Sequence, residues 1–248
     1  MRNLLLYLEY DGTNYHGWQI QPEDITVQKT VEDAVFKIFK EKISVTGCSR
    51  TDAGVHAKKY ALSFFTECKI PAERVAAALN TALPYDVRAL YCTEVGENFH
   101  ARFDTVSKTY QYIINNGRYD VFMRNYCWTV KSALDIEKMR SSAKYFLGKH
   151  DFKSFMTGEK DVTVRNVFSL DITENGDFIN IFISADGFLY NMVRIIVGTL
   201  KKIGEGKLDG EKIPEIILAR DRSLAGETAP PQGLYLYDVK YEVSEILK

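Results

Sequence analysis

Proline is scarce in this sequence, six among 248 residues, and neither a low-complexity tract nor a long block of like charge occurs. That excludes an extended linker or a disordered tail as an expectation. The 46% hydrophobic content is enough for a sizeable core, in one large domain or two of about 120 residues each. Cysteine and histidine are equally sparse, four of each. Cys48, Cys68, Cys92 and Cys127 show no CxxC spacing, and His16, His56, His100 and His150 no metal-binding signature. Reduced thiols and no metal are therefore expected. Charge of one sign is missing too, since 32 basic against 33 acidic residues leave a net charge of −1, so any nucleic-acid site must be a local patch. No run reaches the ~20 apolar residues of a membrane span. The longest, from Phe188 to Ile203, is broken by Asn191, Arg194 and two lysines. The opening MRNLLLYLEYDG is too short for a secretory core and meets Glu9. A soluble, cytoplasmic protein is expected, with no membrane partner.

Periodicity supplies the positive signal. It predicts a strand over 3–11, then a helix over 27–40 with Val27, Val31, Ala34, Val35, Ile38 and Phe39 on one face. A strand near 43–47, another over 60–66, a helix from Pro71 to about 82 and the strand VRALYCTEV follow. The second half repeats the order: a strand over 107–115, a helix over 136–147 stopped by Gly148, strands near 164–173 and 177–185, and a helix over 188–203. A short helix near 211–219 precedes a last strand over 234–242. Two consecutive βαββαβ patterns give the fold class as α+β, with two ferredoxin-like (split βαβ) halves whose antiparallel sheets form a central cleft. The expected division is 1–104 and 105–248.

Three places carry ionisable or aromatic groups in unusual settings. The polar loop CSRTDAGVH puts Arg50 and Asp52 between two strands, where so long a connection is more often functional than structural. A surface Arg–Asp pair on a turn is the plainer alternative. In FHARFDTVSKTYQY, Tyr110 and Tyr112 share one face of a strand, pointing either to a cleft or to the core. Arg194 lies amid the apolar FLYNMVRIIVGTL helix, and a cation buried there calls for a carboxylate opposite it. The segment from Lys138 to Arg165 is the best candidate for a basic patch, although a solvated helix face explains it as well. GEGKLDGEK reads as a turn and helix start, not a phosphate-binding loop.

YDGTNYHGWQIQP, TVQ, SRTDAGVHA, NTALPYDV, FHARF, MVRIIVG and APPQGLYL follow one another along nearly the whole chain. In that order and spacing they resemble the TruA family of tRNA pseudouridine synthases. The resemblance implies that Asp52 is the catalytic aspartate, that Arg50 helps extrude the target base, and that Tyr110 stacks on the uracil. It further implies that Arg194 pairs with the aspartate and Leu234 makes an apolar contact to the base. It implies a homodimer acting on tRNA nucleotides 38, 39 and 40 in the anticodon stem-loop, without a cofactor. One position departs from the family pattern: Ser49 stands where GRTD has glycine. Its side chain disfavours positive φ, so loop shape or target choice is open to difference.

These residue types suit an isomerisation. The N1–C1′ bond breaks, the uracil turns, and C5 joins the same sugar carbon, with a carboxylate acting as nucleophile or as base. Two rival readings are a paralogue acting on another RNA such as ribosomal RNA, and a non-catalytic RNA-binding protein on the same scaffold.

Overall fold

The computed structural model describes residues 1–242. Its first unit comprises Met1–Ser107 together with the segment from Tyr235 onward, and the second comprises Lys108–Leu234. The strand that sequence order places at the close of the second half thus groups with the first unit.

The first unit begins with strand β1 (Arg2–Tyr10), which is buried at every position from Asn3 to Leu8. Its unbroken apolar run is what a central strand covered on both faces requires. Helix α1 (Val27–Phe39) starts where the Thr26 hydroxyl accepts the Lys29 N–H, and ends at Lys40 in the left-handed region, φ 60°. Val27, Val31, Ala34, Val35 and Phe39 are buried as the periodicity predicts, with Ile38 half-buried at the stripe's edge. Strand β2 is only Thr46–Gly47. The residues before it, expected as strand, are held by side chains instead of a ladder. Glu32 accepts the Val45 N–H at 3.0 Å, and Gln28 donates to the Val45 carbonyl at 3.3 Å.

Strand β3 (His56–Thr66), helix α2 (Ala72–Leu79) and strand β4 (Val87–Val95) complete the expected βαββαβ order. Strand β1 pairs antiparallel with both β3 and β4, and β2 pairs antiparallel with β3. The resulting order β4-β1-β3-β2 is that of a split βαβ domain. The late strand β10 (Leu234–Tyr241) adds to β3 in parallel, with Tyr235 opposite His56 and Leu236 opposite Ala57.

Most of strand β5 (Thr105–Asn115) lies in the second unit, where a short β6 (Trp128–Thr129) runs parallel to its end. Helix α3 (Ile136–Ala143) is shorter than predicted, because the chain tightens into a 3-10 turn over Lys144–Phe146 before strand β7 (Gly148–Asp151). Strands β8 (Val164–Asn175) and β9 (Phe178–Ala185) form a hairpin, and the sheet order is β5-β9-β8-β7, all antiparallel. Tyr110, Tyr112 and Ile114 of β5 face Ile183, Ile181 and Ile179 of β9 across buried pairs. Helix α4 (Met192–Gly204) begins four residues later than predicted, since Asn191 takes φ 63° and breaks the apolar run. Helix α5 (Ile213–Ala219) follows a 3-10 turn at Gly210–Lys212.

Mixed helices and mostly antiparallel sheets make this an α+β protein. Among the described residues no helix is long and apolar enough to cross a membrane.

Candidate active site

The loop from Cys48 to Val55 departs from regular structure, yet the first unit grips it at nearly every residue. Cys48 N–H donates to Ala61 O at 2.8 Å, Trp18 N–H to Thr51 O at 3.0 Å, and Gly54 N–H to Tyr15 O at 3.2 Å. The Tyr10 hydroxyl meets the Thr51 hydroxyl at 2.8 Å, and the Tyr60 hydroxyl donates to Ser49 O. Gly17 has φ +84°, and a Cβ there would lie 2.5 Å from Thr51 O, so the segment can pass this close only with glycine. Arg50 projects into solvent, whereas Asp52 is half-buried. Ser49 is not among the non-glycine residues with positive φ, so its departure from glycine requires no backbone strain.

That grip explains the amino-terminal motif. The carbonyls of Gly17 and Trp18 accept the first amides of α1, from Val27 and Gln28, at 3.1 and 3.0 Å. The buried Gln28 amide accepts from Gln19 at 3.1 Å and donates to Glu32 at 3.0 Å. Trp18 stacks on Tyr60 at 4.1 Å, and Tyr15 donates to Asp86 at 2.7 Å, its phenol pushed above the ordinary range chiefly by burial. YDGTNYHGWQIQP and TVQ therefore form a cradle linking helix α1 to the Asp52 loop. Tyr10, Gly17, Trp18 and Gln28 lie within these motifs, and no functional role for them is legible in the sequence alone. Their signal was glycine, aromatic and amide residues clustered in an otherwise irregular stretch.

In the second unit Tyr110 is buried in the middle of β5 with its ring edge-on to Phe188, centroids 5.0 Å apart. Tyr112 belongs to the core. It is fully buried, and its hydroxyl donates to Pro230 O at 2.7 Å, with burial pushing its phenol well above the usual range. Arg194 lies half-buried in the first turn of α4. Its Nε donates to Ala229 O at 2.6 Å and its Nη1 to Asn191 Oδ1 at 2.7 Å, while its own carbonyl accepts the Ala229 N–H at 3.1 Å. Two bonds from adjacent nitrogens fix the guanidinium plane.

The partner segment can run so near the helix because of Gly198, where a Cβ would sit 1.9 Å from Glu227 O. MVRIIVG and APPQGLYL thus form one assembly, in which the strap from Gly226 to Gly233 holds Arg194 and Tyr112. Leu234, buried, opens β10 just beyond it. Arg50 and Asp52 belong to the first unit, and Tyr110, Arg194 and Leu234 to the second.

The basic run is partly neutralised. Lys138 pairs with Asp135 at 3.2 Å, and Arg140 pairs with Glu137 and, at 2.8 Å, with Glu174. Among the described residues no group of three His, Cys, Asp or Glu side chains is placed to hold a metal.

The family model for tRNA pseudouridine synthase matches residues 7–104 and 142–242, and so takes in both the cradled loop and the strapped helix. tRNA pseudouridine synthase A of Thermoanaerobacter sp. (strain X514) is 48% identical over 97% of this chain and all of its own length. tRNA pseudouridine synthase A 2 of Clostridium perfringens (strain 13 / Type A) is 50% identical over the same shares. The chain belongs to the tRNA pseudouridine synthase family. It is an isomerase that converts uridine to pseudouridine, and tRNA is its substrate class. A solved archaeal box H/ACA sRNP Nop10–Cbf5 complex aligns at a TM-score of 0.36 and 13% identity, over 77% of this synthase and 45% of that chain.

Proposed function

We propose that this synthase modifies uridines at tRNA nucleotides 38, 39 and 40, in the anticodon stem-loop, and that Asp52 is its essential carboxylate. The observation that carries this reading is the Asp52 loop itself, an irregular segment anchored by five neighbouring residues of its own unit, as a preorganised catalytic group requires. In one route Asp52 attacks C1′ as the N1–C1′ bond breaks, and its ester bond breaks in turn when C5 of the turned uracil takes its place. In the other, Asp52 removes the C2′ proton to start elimination of the uracil and returns it when C5 bonds to C1′. The proton lost from C5 is balanced by one gained at N1, so no redox partner enters.

Tyr110 stacks on the uracil and assists that proton loss, Leu234 makes an apolar contact to the base, and Arg50 fills the stack the uridine leaves. Unstacking costs a few kcal/mol, offset by stacking in the pocket. Arg194 serves as the counter-charge of Asp52. Its support is the family resemblance together with the fixed guanidinium plane, since a held fork orients a carboxylate better than a mobile ammonium. The active form is a homodimer in the cytoplasm.

Pseudouridine mapping of total RNA from cells with and without the protein tests the target. Loss of the modification at nucleotides 38–40 alone is expected. Loss in ribosomal RNA with tRNA unchanged would replace this reading by the paralogue.

A further inference from the structure

FHARF remains without a role in the reaction, and its geometry is unusual. Phe103 is 76% exposed, yet the turn that carries it is pinned. Phe103 and Asp104 N–H both donate to His100 O at 3.1 Å, and Asp104 Oδ2 accepts the His100 N–H at 2.7 Å. His100 Nδ1 lies 3.2 and 3.3 Å from the Arg102 and Phe103 amides that donate to it. Beneath, Ala101 is fully buried, with its N–H on the Ser63 hydroxyl at 3.2 Å and its carbonyl accepting from Tyr241 at 2.6 Å. The His100 and Phe103 rings stack at 4.2 Å and 27°, and the exposed Arg102 guanidinium lies 5.9 Å from the Phe103 centroid.

An apolar ring left three-quarters exposed on a pinned turn contributes little burial to the fold. Its planar face, backed by an imidazole and flanked by a cation, has the chemistry that binds unpaired nucleobases and their phosphates. The acid in the same turn, Asp104, has a carboxylate oxygen engaged by the His100 amide. A protein partner fits less well. One ring bordered by an arginine and a histidine falls far short of the roughly 800 Å² per side of a stable interface.

We propose that Phe103, seated on His100, is a stacking platform for an unpaired base of the RNA, with Arg102 contacting the adjoining phosphate. The inference rests on tRNA being the substrate and adds a binding site to that reading.

The test uses the full chain and an unmodified tRNA transcript with uridine at nucleotide 39. Affinity, tritium release from C5 and sedimentation are measured for the parent, Phe103→Ala, Phe103→Leu, Phe103→Trp and Arg102→Gln. Alanine and leucine should both weaken tRNA binding about tenfold, because leucine keeps the apolar bulk but loses the plane, and tryptophan should restore parent affinity. Arg102→Gln should lower the slope of log affinity against log salt by about one. Rates at saturating tRNA should stay within about twofold of the parent. A parent inactive on this transcript would count against the proposed targets. An active parent whose alanine variant binds equally well, or whose leucine variant matches tryptophan, overturns the platform, as does a change of oligomeric mass in Phe103→Ala.

Discussion

Asp52→Asn keeps the shape of the side chain and removes the proposed nucleophile or base, so tRNA binding should persist while turnover disappears. Tritium release from C5-labelled RNA checks it, and residual activity within about tenfold of the parent would take Asp52 out of the chemistry. The proposed counter-charge makes a sharper demand of Arg194. A guanidinium within roughly 4–6 Å holds an aspartate ionised to lower pH. Arg194→Met should therefore shift the acidic limb of the single-turnover pH–rate profile upward by about one pH unit or more, as well as slow the reaction. Arg194→Lys should recover part of that shift. If Arg194→Met is folded and its limb stays in place, Arg194 serves packing or RNA instead. Glu205 offers a test of stability alone. Burial raises its carboxyl pKa, but the Ser132 hydroxyl and the ammonium groups of Lys207 and Lys201, each ammonium 3.0 Å away, outweigh that and hold it at about 2. A folded-state value below the unfolded one contributes stability above about pH 4.5, lost as pH falls towards 2. Glu205→Gln should accordingly cost about 1–3 kcal/mol at pH 7 and nearly nothing at pH 2, read from denaturant unfolding at each pH.

Helix α4 and its strap make a mechanical claim. Gly198→Ala puts a methyl 1.9 Å from Glu227 O, so the strap must lift and draw Ala229 O away from Arg194 Nε. We expect a loss of about 1–3 kcal/mol in stability and a fall in single-turnover rate greater than the loss of tRNA affinity; an unchanged rate would mean the strap does not position Arg194. Elements whose local rules agree with their surroundings were legible in the sequence. Helix α1 carries its apolar stripe and its threonine cap, and β1 its unbroken apolar run. Legibility failed where side chains or backbone strain decide. The 43–47 strand shrank because Glu32 and Gln28 took its hydrogen bonds, and α4 started late because Asn191 adopts a left-handed conformation that no periodicity announces. At the site, the loop bearing Asp52 was conspicuous for its polarity between strands. The cradle from Tyr10 to Gln28 was less so, because its cluster of glycine, aromatic and amide residues names no partners, and many of its contacts run through backbone amides and carbonyls. Tyr110 and Tyr112 look alike at alternate positions in the sequence, and the bond from the Tyr112 hydroxyl to Pro230 O marks Tyr112 as structural.

At the scale of the whole molecule, a tRNA is large beside one 28.3 kDa subunit, and the family resemblance gives two. Sedimentation at micromolar concentration should return twice the chain mass, and an active strict monomer would defeat the homodimer. Strand β10 bears on how the protein comes into being. It lies against β3 of the first unit but is encoded after the whole of the second. At roughly 5–20 residues per second of synthesis, the ribosome needs on the order of ten seconds to travel from the end of β4 to Leu234. Throughout that interval His56 and Ala57, the residues that directly follow the Asp52 loop, have no strand beside them on that edge. The nascent first unit can collapse early, but it waits for the last strand to close, and an unpaired edge is where a growing chain is most open to wrong partners. A message cut short before Leu234 therefore yields a first unit that lacks the β10 partner of His56 and Ala57.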